Sequence, residues 1–547
     1  MLNGPAILSI NLNHDGAGVI LSGGRLAAYV NTERFSRIKK QPGIRDGDLD
    51  SLLRQAGLGI EDIHLIILEN YGCNYPDIEQ KYKTDFKDTF VKFTLHPDGT
   101  SARIRGVDIP CIVNYDHFLC HSAAAYYFSP YESAMCFAYD PMGSGCFIGN
   151  ENKLYPCAFP VSLAGLLYDR VSSEFLPFGG LFGAGKTMGL APYGEHADAA
   201  VSDTLRQFAD KGISRPAMEQ SLEFIDLHAK NADALVEGKY NARYAYLAQE
   251  LLELSLSRIL KEMDAFMQDL QRVHGVGVEP NLCLGGGAAL NSVANQKCFE
   301  SSPFNSLYLH PACGDDGTAI GAALYHWHHV MDNPKIPRTN REAMYSVKTY
   351  GEATVRDALE KHRHRLTVSA DAGYIASTAR LLADGKIIGW FHGASEIGPR
   401  ALGNRSILCN PALPHMKDTL NSRVKFREGF RPFAPSVMRE HAADWFDIDD
   451  SPFMLRVAKL KRGGVPAITH CDGTARVQTV RREDNPPYYD LIQSFHRLTG
   501  VPMLLNTSFN IKGEPIVETP LDAVASFLDS DIDALVFPGL MVTKNGR

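Results

Sequence analysis

The sequence predicts an α/β fold with more than one domain, and three observations support this prediction. The chain has 547 residues, whereas a typical domain has about one to two hundred. Hydrophobic residues make up 45% and charged residues 22% of the chain. This is a globular composition that excludes disordered, collagenous and coiled-coil classes. A unit of strand, loop and hairpin near the N-terminus returns more than a hundred residues later, so we expect a duplicated α/β unit.

The two copies of this unit have the same order of elements. Apolar residues at 7–12 predict a strand, a polar loop follows at 13–16, and a hairpin comes next. The second copy has a strand at 134–139 and a loop at 140–145 that contains Gly143, again followed by a hairpin. Glycine lets backbone N–H groups approach the two sides of a polyphosphate closely. Tight turns in an α/β protein remain the alternative interpretation of these loops.

A third glycine-rich segment strengthens the nucleotide interpretation. Gly285, Gly286 and Gly287 follow an apolar strand and precede Asn291, which fits a glycine turn against adenosine in a bilobal nucleotide-binding fold. Upstream of this turn, residues 244–273 carry apolar side chains at helical spacing and predict a core helix.

The amino-acid composition and the predicted structure of the chain change after residue 325. His326, His328 and His329 form a cluster that is more typical of solvated surface than of a metal site, and a linker-like segment follows. A second unit begins near Asp371, with a predicted helix at 374–382. The predicted boundaries are residues 1–345 for the first domain, 346–370 for a linker and 371–547 for the second domain.

A candidate metal site is indicated by His117 and His121. In a helix these imidazoles lie one turn apart on the same face, which is a common spacing of metal ligands. Asp140 and Asp315 lie in acidic loops of the proposed fold and could add oxygen ligands across the cleft. Two histidines and two carboxylates suit a divalent transition ion beside phosphates. A structural role for the histidine pair is the alternative.

Basic residues are concentrated in the second unit of this acidic chain. Arg400, Lys425 and Arg431 stand beside proline, phenylalanine and glycine rather than beside acidic residues. Partly enclosed guanidinium groups need an anion, and phosphate matches their geometry, whereas internal salt bridges are the alternative. Ser508 follows an apolar strand at a position where binding groups are often presented. In the first unit, Lys186 does not fit the Walker spacing but could neutralise an anion.

Charge and cysteine usage limit the partners. The chain has 55 Lys and Arg against 63 Asp and Glu, a formal net charge of −8. This argues against broad capture of nucleic acid or anionic membrane. The 11 cysteines form no CxxC pattern and are interpreted as reduced thiols, and no segment has the apolar length of a membrane span. We therefore expect a cytoplasmic protein with small-molecule partners, no nucleic acid and no membrane. The oligomeric state is left open.

Taken jointly, these motifs resemble the NodU/CmcH family of carbamoyltransferases over nearly the whole chain. The residues that carry the resemblance are His14-Asp15, Glu33-Arg34-Phe35-Ser36-Arg37, the His117/His121 pair, Lys186-Thr187-Met188-Gly189-Leu190-Ala191, Gly285-Gly286-Gly287, Gly314-Asp315-Asp316-Gly317, Gly398-Pro399-Arg400-Ala401-Leu402-Gly403, Arg431-Pro432-Phe433-Ala434-Pro435 and Asn506-Thr507-Ser508-Phe509-Asn510.

The resemblance implies a fold and a set of binding residues. It implies an N-terminal ASKHA-type, ATPase-like domain with the ATP, metal and acceptor sites, and a C-terminal YrdC-like α/β domain with a carbamoyl phosphate site. The implied metal, iron(II) in most cases with magnesium as an alternative, would contact the ATP phosphates. The residues implied by the resemblance are His117, His121, Asp140 and Asp315 for the metal, Gly143, Gly285, Gly286, Gly287 and Asn291 for ATP, and Arg400, Lys425, Arg431 and Ser508 for carbamoyl phosphate.

The implied activity is ATP-dependent O-carbamoylation of a natural product such as an antibiotic. The carbonyl of a carbamoyl group is a poor electrophile, so a carbamoyl-adenylate supplies the better leaving group that an alcohol acceptor needs. His14 is the candidate base for the acceptor hydroxyl, with Lys186 as a second catalytic candidate, although His14 could instead only shape its loop.

Two other functions remain possible from the sequence. A tRNA threonylcarbamoyladenosine-type enzyme would need a basic tRNA surface, which the net charge disfavours. A non-enzymatic ASKHA nucleotide-binding module would leave the arginine-rich second domain without a role. The acceptor and the hydroxyl that is modified are not identified by any motif.

Overall fold

The computed structural model describes residues 4–69, 91–194 and 198–546. The described cysteines are free thiols, and Cys73 lies outside the described residues. The helices of this part of the chain include none with the length and apolarity that a bilayer span requires.

The first sheet contains the first predicted strand-loop-hairpin unit. Strand β1 pairs antiparallel with β2 and, on its other side, parallel with β4, in the order β3-β2-β1-β4-β7-β6-β5. The strands are β1 (Ala6–Asn11), β2 (Ala17–Ser22), β3 (Arg25–Asn31), β4 (Ile63–Glu69), β5 (Phe93–Leu95), β6 (Ser101–Ile104) and β7 (Val107–Val113).

The second sheet repeats this arrangement. Strand β8 pairs antiparallel with β9 and parallel with β13, in the order β10-β9-β8-β13-β14, so the predicted duplication is confirmed. These strands are β8 (Ser133–Asp140), β9 (Gly143–Asn150) and β10 (Lys153–Cys157), and, after a short ribbon of β11 (Leu235–Val236) and β12 (Tyr240–Asn241), β13 (Asn281–Gly285) and β14 (Ser306–Leu309).

Two helices fill the space between the sheets. The helices of this half of the chain are α1 (Thr32–Ser36), α2 (Asp46–Ala56), α3 (His117–Phe128), α4 (Ala164–Arg170), α5 (Gly180–Leu190), α6 (Ala199–Lys211), α7 (Arg215–Ala229), α8 (Ala242–His274), α9 (Ser292–Glu300), α10 (Thr318–Tyr325) and α11 (Asn340–Met344). Helix α3 packs on the second sheet, α10 packs on the first, and the two helices pack against each other. The predicted core helix is α8, which ends at Gly275 in a left-handed cap.

The histidine cluster after α10 corrects a prediction. Residues 326–330 form a π-helical turn that follows α10 without a break. His328 is buried and stacks on Tyr127, with ring centroids 4.7 Å apart, and His329 accepts a hydrogen bond from the Leu154 N–H. The interpretation of this cluster as solvated surface is therefore wrong for His328, because the turn places its imidazole against the buried Tyr127 ring, whereas His326 and His329 are half-buried.

The C-terminal unit is built on a third sheet, in the order β15-β23-β22-β16-β17-β21-β18-β20-β19. Its strands are β15 (Leu366–Ala370), β16 (Ile388–Phe391), β17 (Arg405–Cys409), β18 (Ala434–Met438), β19 (Arg456–Lys459), β20 (Thr474–Val480), β21 (Met503–Ser508), β22 (Ala534–Phe537) and β23 (Leu540–Lys544). Its helices are α12 (Glu352–Glu360), α13 (Tyr374–Ala383), α14 (Met416–Leu420), α15 (Ala442–Trp445), α16 (Pro486–Thr499) and α17 (Pro520–Leu528).

The segment predicted as a linker, residues 346–370, contributes to this unit. Strand β15 pairs antiparallel with β23, and α12 packs against α17 with Val355 and Leu359 in the core. The apolar residues of α12 have helical spacing, which predicts the helix but not its partner. Only the tertiary structure shows that α12 packs in the C-terminal unit.

The two halves are joined by α1 and the residue after it. The Arg34 guanidinium is buried and donates hydrogen bonds to the carbonyl oxygens of Glu396 and Gly398 in the C-terminal unit. Arg37 donates to the carbonyl oxygens of Ile516 and Pro515, at 2.7 and 2.9 Å. The Glu33-Arg34-Phe35-Ser36-Arg37 motif therefore attaches the N-terminal sheet to the third sheet.

Candidate functional site

Helix α3 presents the predicted histidine pair into the gap between the two sheets. The Asp116 side chain caps the helix by accepting a hydrogen bond from the Leu119 N–H at 2.8 Å, so His117 is its first residue. His121 lies one turn later on the same face. Asp140 ends β8, and Asp315 begins the short turn that leads into α10. The four side chains come from three segments that meet at one point and are all buried.

The donor atoms of these four residues converge closely enough to share one ion. They lie within 4.8 Å of one another. His117 Nε2 is 2.8 Å from Asp140 Oδ2 and 3.1 Å from His121 Nε2, and His121 Nε2 is 3.5 Å from Asp315 Oδ1. Two imidazole nitrogens that face each other at 3.1 Å beside two carboxylates are the donor set of a divalent transition ion. The residues therefore fit the metal site that the spacing predicts.

The protonation of these groups follows from their mutual contacts. Burial by itself would lower the pKa of His121, but hydrogen bonds with Asp140 and Asp315 raise it to about 9. Burial would raise the pKa of both carboxyl groups, yet contacts with the histidines hold the pKa of Asp140 and of Asp315 below the usual value. The carboxylates are thus kept ionised, which is the form that binds cations.

The predicted glycine turn lies directly beside these ligands. A Cβ on Gly286 would come within 2.1 Å of the Tyr139 carbonyl oxygen, and Gly286 has a φ of +86°. A Cβ on Gly285 would come within 2.9 Å of the His121 carbonyl oxygen, and the nearest neighbour of one on Gly287 would be Asp140 Cβ, 3.9 Å away. The turn can pack between β8 and α3 because it lacks side chains.

Gly143 and Asn291, the two other residues predicted to bind ATP, have different surroundings. Gly143 begins β9 with a φ of +144°, next to the Asp140 loop. Asn291 caps α9 by accepting from the Ala294 N–H at 3.0 Å and exchanges amide hydrogen bonds with Gln249. The Asn291 side chain therefore has a structural role within the protein.

His14 lies at the entrance of the metal-ligand group. Its Nδ1 is 2.9 Å from Asp15 Oδ2, its Nε2 is 3.3 Å from Asp315 Oδ2, and its side chain is 40% exposed. Lys40 Nζ donates to the same Asp15 oxygen at 2.8 Å. Burial would lower the pKa of His14, but the hydrogen bond to Asp15 and the charge of Asp315 raise it. The imidazole is oriented by Asp15 and reaches both solvent and the metal ligands.

The predicted anion-binding residues meet at the boundary between the two halves of the chain. We call this group the cationic cluster, and its basic side chains are Lys39, Lys186, Arg400, Lys425, Arg427, Arg431 and Arg476. Lys425 is buried and donates to Asn510 Oδ1 at 2.7 Å, with Ser508 Oγ 3.4 Å away. Ser508 in turn donates to Asn510 Oδ1 at 2.8 Å. The structure thus brings Lys425 and Ser508 together as predicted.

Acidic side chains contribute little to the cationic cluster. Glu428 lies 3.3 Å from Lys186 and 3.5 Å from Arg431. The buried Nε atoms of Arg400 and Arg476 have no hydrogen-bond partner within the described residues. Burial lowers the pKa of Arg400 to about 10. Burial and the charges of neighbouring arginines also lower the pKa of Lys425 and Arg476 well below the usual values. Enclosed like charges of this kind are stabilised by a bound anion.

Arg400 connects the cationic cluster to the glycine turn. Its Nη2 lies 3.5 Å from the Leu290 carbonyl oxygen, at the end of the turn that begins at Gly287. Lys39 and Lys186 enter the cluster from the N-terminal half, and the charges of Lys186 and Arg431 both reach Lys39. The metal ligands and the cationic cluster are therefore neighbouring sites and not two remote ones.

The sequence does not predict three members of the cationic cluster, Lys39, Arg427 and Arg476, as site residues. Arg427 stands in the basic stretch of the second unit and packs over the Phe433 ring at 4.2 Å. Arg476 lies alone on β20. Lys39 follows the motif that joins the two halves. No local pattern marks Lys39 or Arg476, since both are brought to the site by packing of distant segments.

The Gly398-to-Arg405 loop is held by a buried carboxylate. Glu396 Oε1 accepts hydrogen bonds from the N–H groups of Leu402, Asn404 and Arg405, at 2.8 to 3.0 Å. Glu396 is fully buried. The loop is therefore wrapped around the Glu396 carboxyl group, and these hydrogen bonds fix the backbone from which Arg400 projects.

Comparison with known proteins covers both halves of the chain. The family model described as Carbamoyltransferase N-terminus matches residues 6–324, and the one described as Carbamoyltransferase C-terminus matches residues 379–544. Nodulation protein NolNO of Sinorhizobium fredii is 34% identical over 97% of this chain and 79% of its own length. Nodulation protein U of the same species is 28% identical over 93% of this chain and 94% of its own length. Component A of the (R)-2-hydroxyglutaryl-CoA dehydratase of Acidaminococcus fermentans, a solved structure, is 13% identical with a TM-score of 0.33, over 59% of this chain and 97% of its own.

Proposed function

The chain belongs to the carbamoyltransferase family, and on that premise we propose that it uses carbamoyl phosphate and ATP to carbamoylate a hydroxyl of a small-molecule acceptor. The observation that carries the proposal is the cationic cluster and its connection, through Arg400, to the glycine turn beside the metal ligands. One site thus suits a small phosphorylated anion, and its neighbour suits the phosphates of a nucleotide.

The cationic cluster is the proposed site of carbamoyl phosphate. A compact dianion can accept charge-assisted hydrogen bonds from several guanidinium groups at once. Arg400 and Arg431 approach it from the loops that precede β17 and β18, and Lys425 approaches with Ser508. The sequence predicts Lys186 as a catalytic residue. In the structure its ammonium group contacts Glu428 within the cationic cluster. It would therefore offset the charge of the phosphate rather than act beside His14.

The chemistry can be divided between the two sites. Hydrolysis of carbamoyl phosphate at the cluster gives carbamate and phosphate. A carbamate oxygen then attacks the α-phosphorus of ATP, and pyrophosphate leaves. The acceptor oxygen attacks the carbonyl carbon of the carbamoyl-adenylate, and AMP leaves with the electron pair of the broken C–O bond. Because carbamate is short-lived in water, enclosure between the two halves would protect it.

The four converging ligands have a defined place in this scheme. A divalent ion held by His117, His121, Asp140 and Asp315 would orient the nucleotide phosphates and offset their charge. Iron(II) suits the two imidazoles and two carboxylates, with magnesium as the alternative. The glycine turn at residues 285–287 would let the nucleotide approach these ligands without steric conflict.

His14 is the proposed base for the acceptor hydroxyl. Asp15 orients its Nδ1, and its Nε2 faces the ligand group where the carbamoyl-adenylate would lie. The His14→Asn variant retains a polar side chain of similar size near Asp15. We expect it to release pyrophosphate at a near-normal rate and to transfer the carbamoyl group about a hundredfold to ten-thousandfold more slowly. Parallel loss of both half-reactions would give His14 a structural role.

Pyrophosphate release tests the proposed function as a whole. Purified protein is incubated with ATP labelled in the α-phosphate, with and without carbamoyl phosphate, and AMP and pyrophosphate are measured. We expect both products to require carbamoyl phosphate and to be lost in Arg431→Ala. Release that requires threonine, bicarbonate and tRNA would support a tRNA threonylcarbamoyladenosine-type enzyme instead. The acceptor is identified by measuring the mass of the product formed from each of a panel of alcohols, which comprises an aminoglycoside, a macrolide sugar, an ansamycin and a β-lactam.

A further inference from the structure

Cys146 and Cys157 lie directly opposite each other in the second sheet. Cys146 is inside β9 and Cys157 is the last residue of β10, and their Cα atoms are register partners in this antiparallel pair. The side chains of register partners point to the same face of a sheet. Each sulfur is a hydrogen-bond partner of the other. The two thiols are therefore in direct contact, although ten residues separate them in the chain.

The position of this pair in the sheet suits a disulfide. Pro156 of β10 is the register partner of Phe147 and has no N–H to donate. Hydrogen-bonded and non-hydrogen-bonded pairs alternate along an antiparallel ladder, so Cys146 and Cys157 form a hydrogen-bonded pair, in which the Cα atoms are about 5.5 Å apart. A disulfide spans Cα atoms that are about 4.4 to 6.8 Å apart. The bond can therefore close without a large movement of the strands.

The two thiols differ in their access to solvent. Strand β10 is an edge strand of the second sheet, and Cys157 at its end is half-buried, whereas Cys146 is buried. Contact with the Cys146 thiol lowers the pKa of Cys157, and the same contact, together with burial, raises the pKa of Cys146. Because the thiolate is the form of a thiol that attacks a disulfide, Cys157 is suited to attack first and Cys146 to react second.

A second pair of opposed cysteines lacks this access. Cys136 on β8 and Cys283 on β13 are register partners in the parallel part of the same sheet. Their exposed fractions are 0% and 1%. A dissolved disulfide therefore does not reach either sulfur in the folded protein. Exposure distinguishes this pair from Cys146 and Cys157, although both pairs are opposed across neighbouring strands.

The exposed pair lies where the β9–β10 hairpin meets the loop that begins at Asp140. Strand β9 starts three residues before Cys146. The segment after Cys157 returns to the same loop, where the Ser162 N–H donates to Ser144 Oγ at 2.9 Å. A covalent bond between the two strands would hold this segment against the loop that carries a metal ligand.

We propose that Cys146 and Cys157 are a thiol modification site that forms a reversible disulfide by exchange with a small-molecule disulfide such as oxidised glutathione. The Cys157 thiolate attacks one sulfur of oxidised glutathione, and the first glutathione thiolate leaves. The Cys146 thiolate then attacks the Cys157 sulfur of this mixed disulfide, and the second glutathione thiolate leaves. The two glutathione thiolates take up the two protons that the cysteines lose, so one disulfide is reduced for each one formed. Reduced glutathione reverses the reaction.

Peptide mapping after equilibration with glutathione tests the proposal. The full chain is incubated with reduced and oxidised glutathione in graded ratios, the remaining thiols are blocked, and tryptic peptides are analysed by mass spectrometry. Trypsin cuts between the two cysteines, after Lys153, so the disulfide links peptide 106–153 to peptide 154–170. Fragment spectra show that Cys146 is the linked cysteine of the first peptide. Amide hydrogen exchange of residues 142–145 is compared between the reduced and the oxidised protein.

The expected products depend on which thiol is present. The wild type should give more of the linked peptides as the share of oxidised glutathione rises, and dithiothreitol should remove them. Cys146→Ala should stop at the mixed disulfide of Cys157 with glutathione, because the second thiol is absent. Cys157→Ser should give no product at Cys146, since that thiol is buried. Cys471→Ser is the control, because it removes an exposed thiol elsewhere in the chain and should leave the link unchanged. The amides of residues 142–145 should exchange severalfold more slowly in the oxidised wild type.

Other results overturn the proposal. A wild type that stays reduced at every glutathione ratio would show that the two sulfurs do not bond in the folded protein. A mixed disulfide that persists at Cys157 in the wild type would show that Cys146 does not react with it. A link between Cys136 and Cys283 in place of this pair would show that exposure does not select the site. Equal amide exchange in the reduced and oxidised protein would show that the disulfide does not restrain the loop.

Discussion

Arg476 is the member of the cationic cluster with the most unusual surroundings. Its Nε is buried without a partner, and the charges of Arg400, Arg427 and Arg431 all reach it. In the unliganded protein these contacts are repulsive, and with a bound phosphate they become attractive interactions with one shared anion. Function and stability are therefore expected to oppose each other at this residue.

Replacement of Arg476 should separate these two effects. Arg476→Met retains an apolar stem of similar length, so we expect an unliganded melting temperature equal to or above that of wild type. Its affinity for carbamoyl phosphate should fall about tenfold to a hundredfold. Thermal-shift titration with carbamoyl phosphate and with inorganic phosphate measures both quantities. Arg482→Met, at an exposed position, is the control. A destabilised variant that binds normally would make Arg476 structural.

The metal-ligand histidines give a second prediction at the residue scale. Two of the four donors are lost in His117→Ala/His121→Ala, so the variant should hold no stoichiometric divalent metal. Elemental analysis by mass spectrometry of the purified protein makes the measurement. His415→Ala, an exposed histidine, should retain the metal of the wild type. Full iron or zinc content in the double variant would remove these histidines from the site.

His470 links stability to pH. Burial would lower its pKa, but contacts with Asp472, at 3.6 Å, and with Cys471 raise the pKa of His470 to about 9. Because the folded pKa lies above the unfolded value of about 6.5, protonated His470 stabilises the fold fully below pH 6.5. That stability is lost as pH rises through 9.

His470→Gln measures this contribution directly. The stability difference between wild type and variant should shrink by about 1–2 kcal/mol between pH 6 and pH 9.5, a value reduced for the partial exposure of Asp472. Urea unfolding at both pH values gives the comparison, and groups common to both proteins cancel. A difference that stays constant with pH would show that His470 does not exchange its proton in this range.

At the scale of elements, the metal ligands depend on how closely α3 and α10 approach. A Cβ on Gly321 of α10 would lie 1.8 Å from the Cys120 carbonyl oxygen of α3, which only glycine allows. Helix α3 carries His117 and His121, and Asp315 precedes α10. The separation of these two helices therefore sets the distance between the ligands.

Gly321→Ala should affect stability and metal binding together. The added methyl group forces the helices apart, and overpacking of this kind costs about 2–3 kcal/mol. Metal affinity should fall because the histidines move away from Asp315. Calorimetric unfolding and metal titration of the purified variant make the measurement. Gly47→Ala on α2 is the control, since nothing lies within 4 Å of a Cβ placed on Gly47. This variant should leave the stability of the protein unchanged or raise it slightly, because alanine favours a helix more than glycine does.

At the scale of the whole molecule, Arg34 is one of the buried groups that join the two halves. Its guanidinium donates to two carbonyl oxygens of the loop that also presents Arg400. A substitution here leaves both carbonyl groups without a donor in a buried interface. The cationic cluster draws residues from both halves, so its geometry depends on this junction.

Arg34→Met should weaken the coupling between the halves. We expect the unfolding transition to broaden or divide into two, with a loss of roughly 2–4 kcal/mol from the junction. Scanning calorimetry and limited proteolysis between residues 325 and 370 detect the change. Arg25→Met removes an exposed ion pair with Glu342 and should cost no more than about 1 kcal/mol. An unchanged single transition in Arg34→Met would show that other contacts join the halves.

The sequence by itself determined the features that depend on near neighbours. The i and i+4 spacing of His117 and His121 required only that α3 form, and the repeated alternation of strand and loop predicted both hairpin units. Helix α8 and its end at Gly275 followed from apolar periodicity and a glycine cap. These features are local, because helix and hairpin geometry fix the relative positions of residues a few places apart.

Only the tertiary structure decided which distant residues meet. Asp140 and Asp315 reach the same ligand group from two segments, and Lys39 and Arg476 enter one cluster from opposite halves. The burial of His328 and the position of β15 in the third sheet were likewise set by packing. A sequence pattern reports the face on which a residue lies, whereas the partner of that face depends on the sum of many weak contacts between elements far apart in the chain.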